Sequence, residues 1–308
     1  IAANDVHKKD NAIIYTQLLN DAGGIEADLT IVRHAKDSFS LVTGTGFATH
    51  DSHWISSSIP PGADASFVDT TSQTAVLALM GPKSREILRS LTNDDVSNAA
   101  FPFATARDLV VAGGPALALR ITYVGELGYE LHVPVEFAAT LCDAIVAAGA
   151  PYGLRFAGYR AIETLRLEKG YRAWGAEIGP DHSPLVAGLA HFVKLNSSLP
   201  FRGRAALEAQ RAAPLPRLLA GFTAAGEVIL LGRETIYRNG ERVGWLASGG
   251  YGHTVRKAIG YGYVRRAEGV DADFVLSGDY TLEVAGERVP AEPFLKPLYD
   301  PERRRVRA

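Results

Sequence analysis

Alternation of apolar and polar positions recurs through the first third of the chain. Glu26 to Arg33 is β-branched and partly alternating, Lys36-Asp37-Ser38 breaks it, and Phe39 to Thr43 resumes it, which predicts a β-hairpin. Gly23-Gly24 before it marks a tight turn. Ala75 to Met80 is a continuous apolar run suited to a buried strand, and Gly81-Pro82 starts a helix with Ile87, Leu88 and Leu91 on one face. Leu117, Leu119, Ile121 and Tyr123 alternate with Ala118, Arg120 and Thr122, so a strand is expected to run through Tyr123. Tyr129, Leu131 and Val133 carry the next strand. Phe137, Leu141 and Ile145 fall at helical spacing, with Gly149 as the expected stop. A further helix is expected over 157–168, with Ala157, Ala161 and Leu165 toward the core.

Composition shifts at Ala212-Ala213-Pro214-Leu215-Pro216, a stiffened connector. Beyond it the chain reads almost wholly as strand. Asn239-Gly240 separates two strands as a two-residue hairpin turn, and 258–264 and 281–284 add more. The expected organisation is α+β with mostly antiparallel sheet: residues 1–211 as one region of two subdomains, and 212–308 as a small β-barrel. Arg303, Arg304, Arg305 and Arg307 read as a solvated, frayed tail.

Charge and composition narrow the function. The 308 residues carry a formal net charge of −2, with 47% hydrophobic and 21% charged positions. This is a globular composition without the basic footprint of a nucleic-acid or anionic-membrane binder. The single cysteine, Cys142, leaves no internal disulfide and no multi-cysteine metal site, and its apolar helical stripe makes it a buried, inert thiol. No apolar run is expected to reach the ~18 residues that cross a bilayer. The first residues lack the charged start and apolar core of a signal peptide, and the absence of an initiator Met points to a start inside a longer gene product.

Several catalytic signatures are missing. There is no phosphate loop, no Gly-x-Ser-x-Gly elbow and no dinucleotide fingerprint; Gly249-Gly250-Tyr251-Gly252 sits among barrel strands. His50-Asp51-Ser52-His53 reads as a polar turn or helix start, so no metal site is expected. Three charged residues in apolar, glycine-flanked surroundings remain. Asp28 enters a β-branched strand after Gly23-Gly24, Glu130 lies between Tyr129 and Leu131, and Arg160 opens a helix. By pattern alone each also reads as an ordinary surface residue, Arg160 as a cap or a partner of Glu163. A desolvated carboxylate has a raised pKa and a neighbouring Arg lowers it, so a site holding both suits proton transfer or capture of a polar heterocycle.

Three segments carry a resemblance. Tyr123-Val124-Gly125-Glu126-Leu127-Gly128-Tyr129-Glu130-Leu131, Gly158 to Tyr171, and Tyr15 to Asp28 resemble the aminomethyltransferase (glycine-cleavage T-protein) superfamily. Glu168 to Gly175 and Gly44 to Asp51 look most like the C-terminal, tetrahydrofolate-binding region of dimethylglycine and sarcosine dehydrogenases and oxidases. The resemblance covers essentially the whole chain.

It implies a cloverleaf of three small domains around a tetrahydrofolate site. Asp28 matches the aspartate beside the reactive folate nitrogens, and Glu130 the glutamate that grips the pterin, where a carboxylate is the natural acceptor pair. Arg160, Tyr15, Tyr123 and Trp174 match further residues of the folate site, and Tyr299 a folate-side tyrosine near the C-terminal end. The implied reaction joins tetrahydrofolate to an iminium or formaldehyde, produced from an N-methyl amine by a flavin module, to give 5,10-methylenetetrahydrofolate. FAD would sit on a separate or preceding domain, and relatives carry a stretch before the equivalent of Ile1. A folate-dependent S- or O-demethylase and a non-catalytic folate-binding protein are the alternatives. The iron–sulfur assembly members carry Lys-Gly-Cys-Tyr where this chain has Lys169-Gly170-Tyr171. The implied setting is cytoplasmic or mitochondrial matrix, with no nucleic-acid or membrane partner.

Overall fold

The computed structural model describes residues 1–226 and 228–308. Its first sheet is antiparallel, ordered β1 (Ile13–Leu19), β2 (Ile25–Ala35) and β3 (Ser38–Val42). The expected hairpin is β2–β3. The strand before it, β1, escapes a period-2 reading because Thr16, Gln17, Leu18 and Leu19 are all buried in succession. The β1–β2 turn shows why two glycines stand there. Gly23 adopts φ +81°, and a Cβ on Gly24 would lie 1.6 Å from the Pro180 carbonyl oxygen. Asn20 closes the turn, its Oδ1 accepting from the backbone N–H of Gly24 at 2.8 Å and of Ala22 at 3.1 Å.

The second sheet is ordered β4 (Thr74–Met80), β7 (Gly128–Pro134), β6 (Gly114–Leu119) and β5 (Ala106–Val111), all antiparallel. Leu79, Tyr129, Leu131 and Val133 bury one face under α2 (Ser84–Arg89) and α3 (Ala138–Gly149). The strand expected through Tyr123 ends at Leu119. There Arg120 turns inward, fully buried, and its guanidinium donates to the carbonyl oxygens of Phe101 at 2.5 Å and Ala308 at 2.6 Å. Tyr123 is therefore carried by a loop.

Gly149 is not the helix stop. It lies in the last turn of α3, buried against Leu154; one 3-10 turn (Ala150–Tyr152) follows, and Gly153 at φ +73° ends the run. The expectation of no 18-residue apolar segment is also corrected. Val135–Tyr152 has a mean hydropathy of 1.2 and is long and apolar enough to cross a membrane by length and composition. In the fold it packs Leu141 and Ile145 on the second sheet and carries Glu136 and Asp143 elsewhere. Cys142, beside Leu141, is half-buried rather than buried.

The helix expected over 157–168 is α4 (Tyr159–Lys169), closed by Gly170 at φ +70°. Its buried residues come from its last turns, Arg166 to Lys169, whereas Ala157 and Arg160 are exposed. After α5 (Arg204–Arg211), six strands close a barrel in the order β10 (Glu241–Gly252), β11 (Lys257–Arg265), β8 (Arg217–Ala224), β13 (Glu287–Phe294), β12 (Tyr280–Val284) and β9 (Thr235–Arg238). Asn239 and Gly240 both take positive φ, 51° and 85°, as a two-residue β9–β10 hairpin demands.

Arg303, Arg304, Arg305 and Arg307 are exposed, as expected, but the tail is not frayed. Val306 is 1% exposed, and Arg85 and Arg120 both donate to the Ala308 carbonyl oxygen, at 2.7 and 2.6 Å. Lys169, itself buried, reaches Asp300 Oδ2 at 2.8 Å. The arginine-rich composition concealed a strap that folds back over the body.

Candidate active site

A cavity of about 1510 Å³ opens where the two sheets, the barrel and the strap meet. Tyr15 and Asp28 line it from the first sheet, Glu130 and Tyr123 from the second, and Tyr261 and Leu295 from the barrel. Asp300, Arg303 and Arg307 come from the strap. The volume exceeds the roughly 300–1,000 Å³ of most small-molecule pockets.

The register of the first sheet builds the acidic corner. Tyr15 is paired with Thr30 and Gln17 with Asp28 across β1–β2. Directly paired residues share a sheet face, and so do residues two apart, so these four stand on one side. The Tyr15 hydroxyl donates to Asp28 Oδ2 at 2.9 Å. Burial pushes the Asp28 carboxyl up to about 6, and Asp51, a like charge on α1 (Ala48–Ser57), pushes the same way; the bond from Tyr15 and a backbone N–H hold it down. Tyr15 itself is driven well above its usual range, first by burial and then by the adjacent carboxylate. Asp28 is thus poised to exchange a proton near neutrality.

The facing walls are aromatic. Tyr123 stacks on Tyr171, ring centroids 5.9 Å apart and planes 14° apart, and its hydroxyl donates to the Arg172 carbonyl oxygen at 2.8 Å. Burial raises its phenol far above the ordinary range. The Trp174 ring meets Phe47 edge-on at 4.4 Å, and its Nε1 donates to the Ile25 carbonyl oxygen at 3.1 Å, tying this wall to β2. Tyr15 packs edge-on to Phe192 at 4.7 Å. Glu130 lies on the half-buried face of β7 with His132 Nε2 at 3.4 Å from its carboxylate.

The segment carrying Tyr171 to Trp174 is held from behind. Arg166 of α4 donates to Glu177 Oε1 at 2.7 Å and to the Tyr171 carbonyl oxygen at 3.1 Å. Glu177 Oε2 accepts from the Ala173 N–H at 2.7 Å, and Ser248 of β10 donates to Glu177 Oε1. Arg166 and Glu177 are both fully buried.

Five of the residues singled out from the sequence therefore line one cavity: Tyr15, Asp28, Tyr123, Glu130 and Trp174. Two do not. Arg160 is exposed in the first turn of α4 and outside the lining; the partner of Glu163 is Arg166, whose Nε lies 3.1 Å from it. Tyr299 turns away, its hydroxyl donating to Glu126 and its N–H to the Glu168 carbonyl oxygen at 3.0 Å. His50 and His53 lie in α1; His50 contacts Asp51 at 2.9 Å and Glu26 at 3.2 Å, and the Asp51 bond raises its pKa. The sequence reading missed Tyr171, Phe47 and Phe192 as wall residues. Tyr171 stood inside a quoted segment, but nothing in the chain pattern separates a wall aromatic from a core one.

Three antiparallel assemblies, one of them a closed barrel, around a large cavity define an α+β protein. Residues 1–197 match the GCVT N-terminal domain, and residues 217–300 the glycine cleavage T-protein C-terminal barrel domain. The chain belongs to the glycine cleavage T-protein family. It is 42% identical over 319 residues to human mitochondrial sarcosine dehydrogenase, covering 98% of this chain and 35% of that protein. It therefore spans about a third of that relative's length. An aminomethyltransferase from Caldanaerobacter subterraneus subsp. tengcongensis is 35% identical over 84% of this chain and 69% of its own. The fold matches the glycine cleavage system aminomethyltransferase T from Bartonella henselae with a TM-score of 0.83, over 97% of this chain and 79% of that one, at 24% identity.

Proposed function

We propose that this chain is a tetrahydrofolate-dependent one-carbon transferase acting with a flavin amine-oxidising module. Its proposed reaction forms 5,10-methylenetetrahydrofolate from an iminium or formaldehyde released by oxidation of an N-methyl amine such as sarcosine or dimethylglycine. The single observation that carries this reading is the convergence of Tyr15, Asp28, Tyr123, Glu130 and Trp174, from three separated chain segments, on one cavity.

The cavity suits a reduced folate. Its volume admits a bicyclic ring with an extended tail, and its walls offer aromatic faces at Tyr123, Tyr171, Phe47 and Trp174. Glu130 would hold the pterin, since a carboxylate matches adjacent ring and amino N–H donors. Lys8, Lys9, Lys194, Arg303 and Arg307 complement the carboxylates of a glutamate tail. Bound tetrahydrofolate supplies the nucleophilic nitrogens that take up a one-carbon unit at the formaldehyde level.

The residues of this chain do the rest. Asp28, with a pKa near 6, accepts a proton at its carboxylate and as an anion favours neighbouring positive charge. Tyr15 fixes the orientation of that carboxylate through Oδ2. The aromatic walls keep water from an electrophile that water would consume. A mitochondrial-matrix or cytoplasmic setting, with the flavin module on the same or another chain, completes the proposal.

Anaerobic isothermal titration with (6S)-tetrahydrofolate tests it. One-site binding in the micromolar range is expected. A folded chain that takes up no tetrahydrofolate contradicts the reading.

A further inference from the structure

Gln17 is fully buried, and among the described residues neither its side-chain nitrogen nor its oxygen has a hydrogen-bond partner of good geometry. A buried amide left in that state is costly, on the order of 1–3 kcal/mol per unsatisfied group. Leucine would fill the same space without that cost. The register sets Gln17 directly opposite Asp28 in the β1–β2 pair, on the face that also carries Tyr15 and Thr30, and its amide lies beside the Tyr15 hydroxyl, whose pKa it pulls down. Paired side chains start about 4.5–5.5 Å apart at Cβ, within reach of a glutamine amide. Tyr15 occupies Asp28 Oδ2 and leaves Oδ1 without a side-chain donor.

We propose that Gln17 is a positioning residue for Asp28, turning its side-chain N–H onto the carboxylate oxygen that Tyr15 leaves free. Two donors from one strand, Tyr15 and Gln17, then fix both oxygens of the carboxylate and leave its outer face to the cavity. A one-donor carboxylate turns about its last side-chain bond; a two-donor carboxylate presents a fixed lone pair. The other groups around Asp28 do not replace this donor. Asp51 on α1 is an acceptor engaged with His50, Glu26 on β2 is engaged with Asn20 and His50, and the Tyr123 hydroxyl is engaged with the Arg172 carbonyl oxygen.

The inference deepens the role given to Asp28, but its test uses no folate, so its failure and the failure of the folate reading are separable. Carboxyl ¹³C NMR follows the Asp28 titration in the ligand-free chain, assigned by its loss in Asp28→Asn. A donor to the carboxylate lowers its pKa, so Gln17→Leu is expected to move the Asp28 midpoint upward by about one pH unit. An unchanged midpoint in folded Gln17→Leu overturns the proposal. A second measurement needs no variant. The Gln17 side-chain NH₂ resonances of the unsubstituted chain are expected to titrate with the Asp28 midpoint, and resonances that stay flat through it overturn the proposal. A merely space-filling Gln17 moves neither readout.

Discussion

The Tyr15 hydroxyl donates to Asp28 Oδ2 across 2.9 Å, and the two residues come from adjacent strands that present them to the same cavity. The bond opposes a larger effect. Burial lifts the Asp28 carboxyl to about 6 in spite of it. A carboxylate so held is costly to keep charged, and that cost is legible in stability.

The pH dependence follows from the direction of the shift. The Asp28 pKa is about 6 when folded, against a reference of 3.8. Between those values the folded state binds more protons than the unfolded one, so stability falls as pH rises from about 4 to about 6. Asp28→Asn removes that loss. The variant is expected to be more stable than the parent at pH 7, by up to about 3 kcal/mol, with the gain disappearing below pH 4. Urea unfolding at several pH values checks this; a variant less stable than the parent at pH 7 speaks against the shift.

Glu130 is expected to act on binding. Glu130→Ala should weaken tetrahydrofolate affinity by roughly 1.5–3 kcal/mol, the scale of a hydrogen bond to a charged group, with little change in folding stability because the side chain lies on the half-buried face of β7. Titration calorimetry reads the loss. An affinity equal to the parent's would remove Glu130 from the pterin site.

The pair of Arg166 and Glu177 is expected to act on the wall. Glu177→Ala leaves the buried Arg166 with Glu163 and the Tyr171 carbonyl oxygen as partners and frees the Ala173 N–H and Ser248. Such a break should cost about 3 kcal/mol or more. It should also loosen the segment from Tyr171 to Trp174. Hydrogen exchange at the Ala173 amide is expected to speed up more than exchange in the second sheet; uniform change across the chain would indicate global destabilisation alone.

How much of this was legible in the sequence depended on whether the signal was local. The β2–β3 hairpin and the Asn239-Gly240 turn are written in neighbouring residues, and they fall where the pattern puts them. The first strand was missed because a run buried on both faces has no alternation. Gly149 misled because a buried close contact and a left-handed stop both select glycine. The arginine-rich tail misled because its anchors, Arg85, Arg120 and Lys169, lie more than a hundred residues away. In the same way, Asp28 and Glu130 stood out as charges in apolar strands, whereas the exposure of Arg160 and the turn of Tyr299 toward Glu126 depend on tertiary packing.

The central claim is that Asp28 carries proton chemistry within a folate pocket rather than holding folate. It is tested most directly by measuring, on the same samples of parent and Asp28→Asn, tetrahydrofolate affinity and the rate of 5,10-methylenetetrahydrofolate formation from formaldehyde above the uncatalysed background, under anaerobic conditions. The account predicts affinities that agree within a few-fold and a catalysed rate lower in the variant by about 10²–10⁴-fold, the usual contribution of a positioned acid or base. A variant that binds and turns over as the parent does, or one whose loss lies wholly in binding, would contradict it.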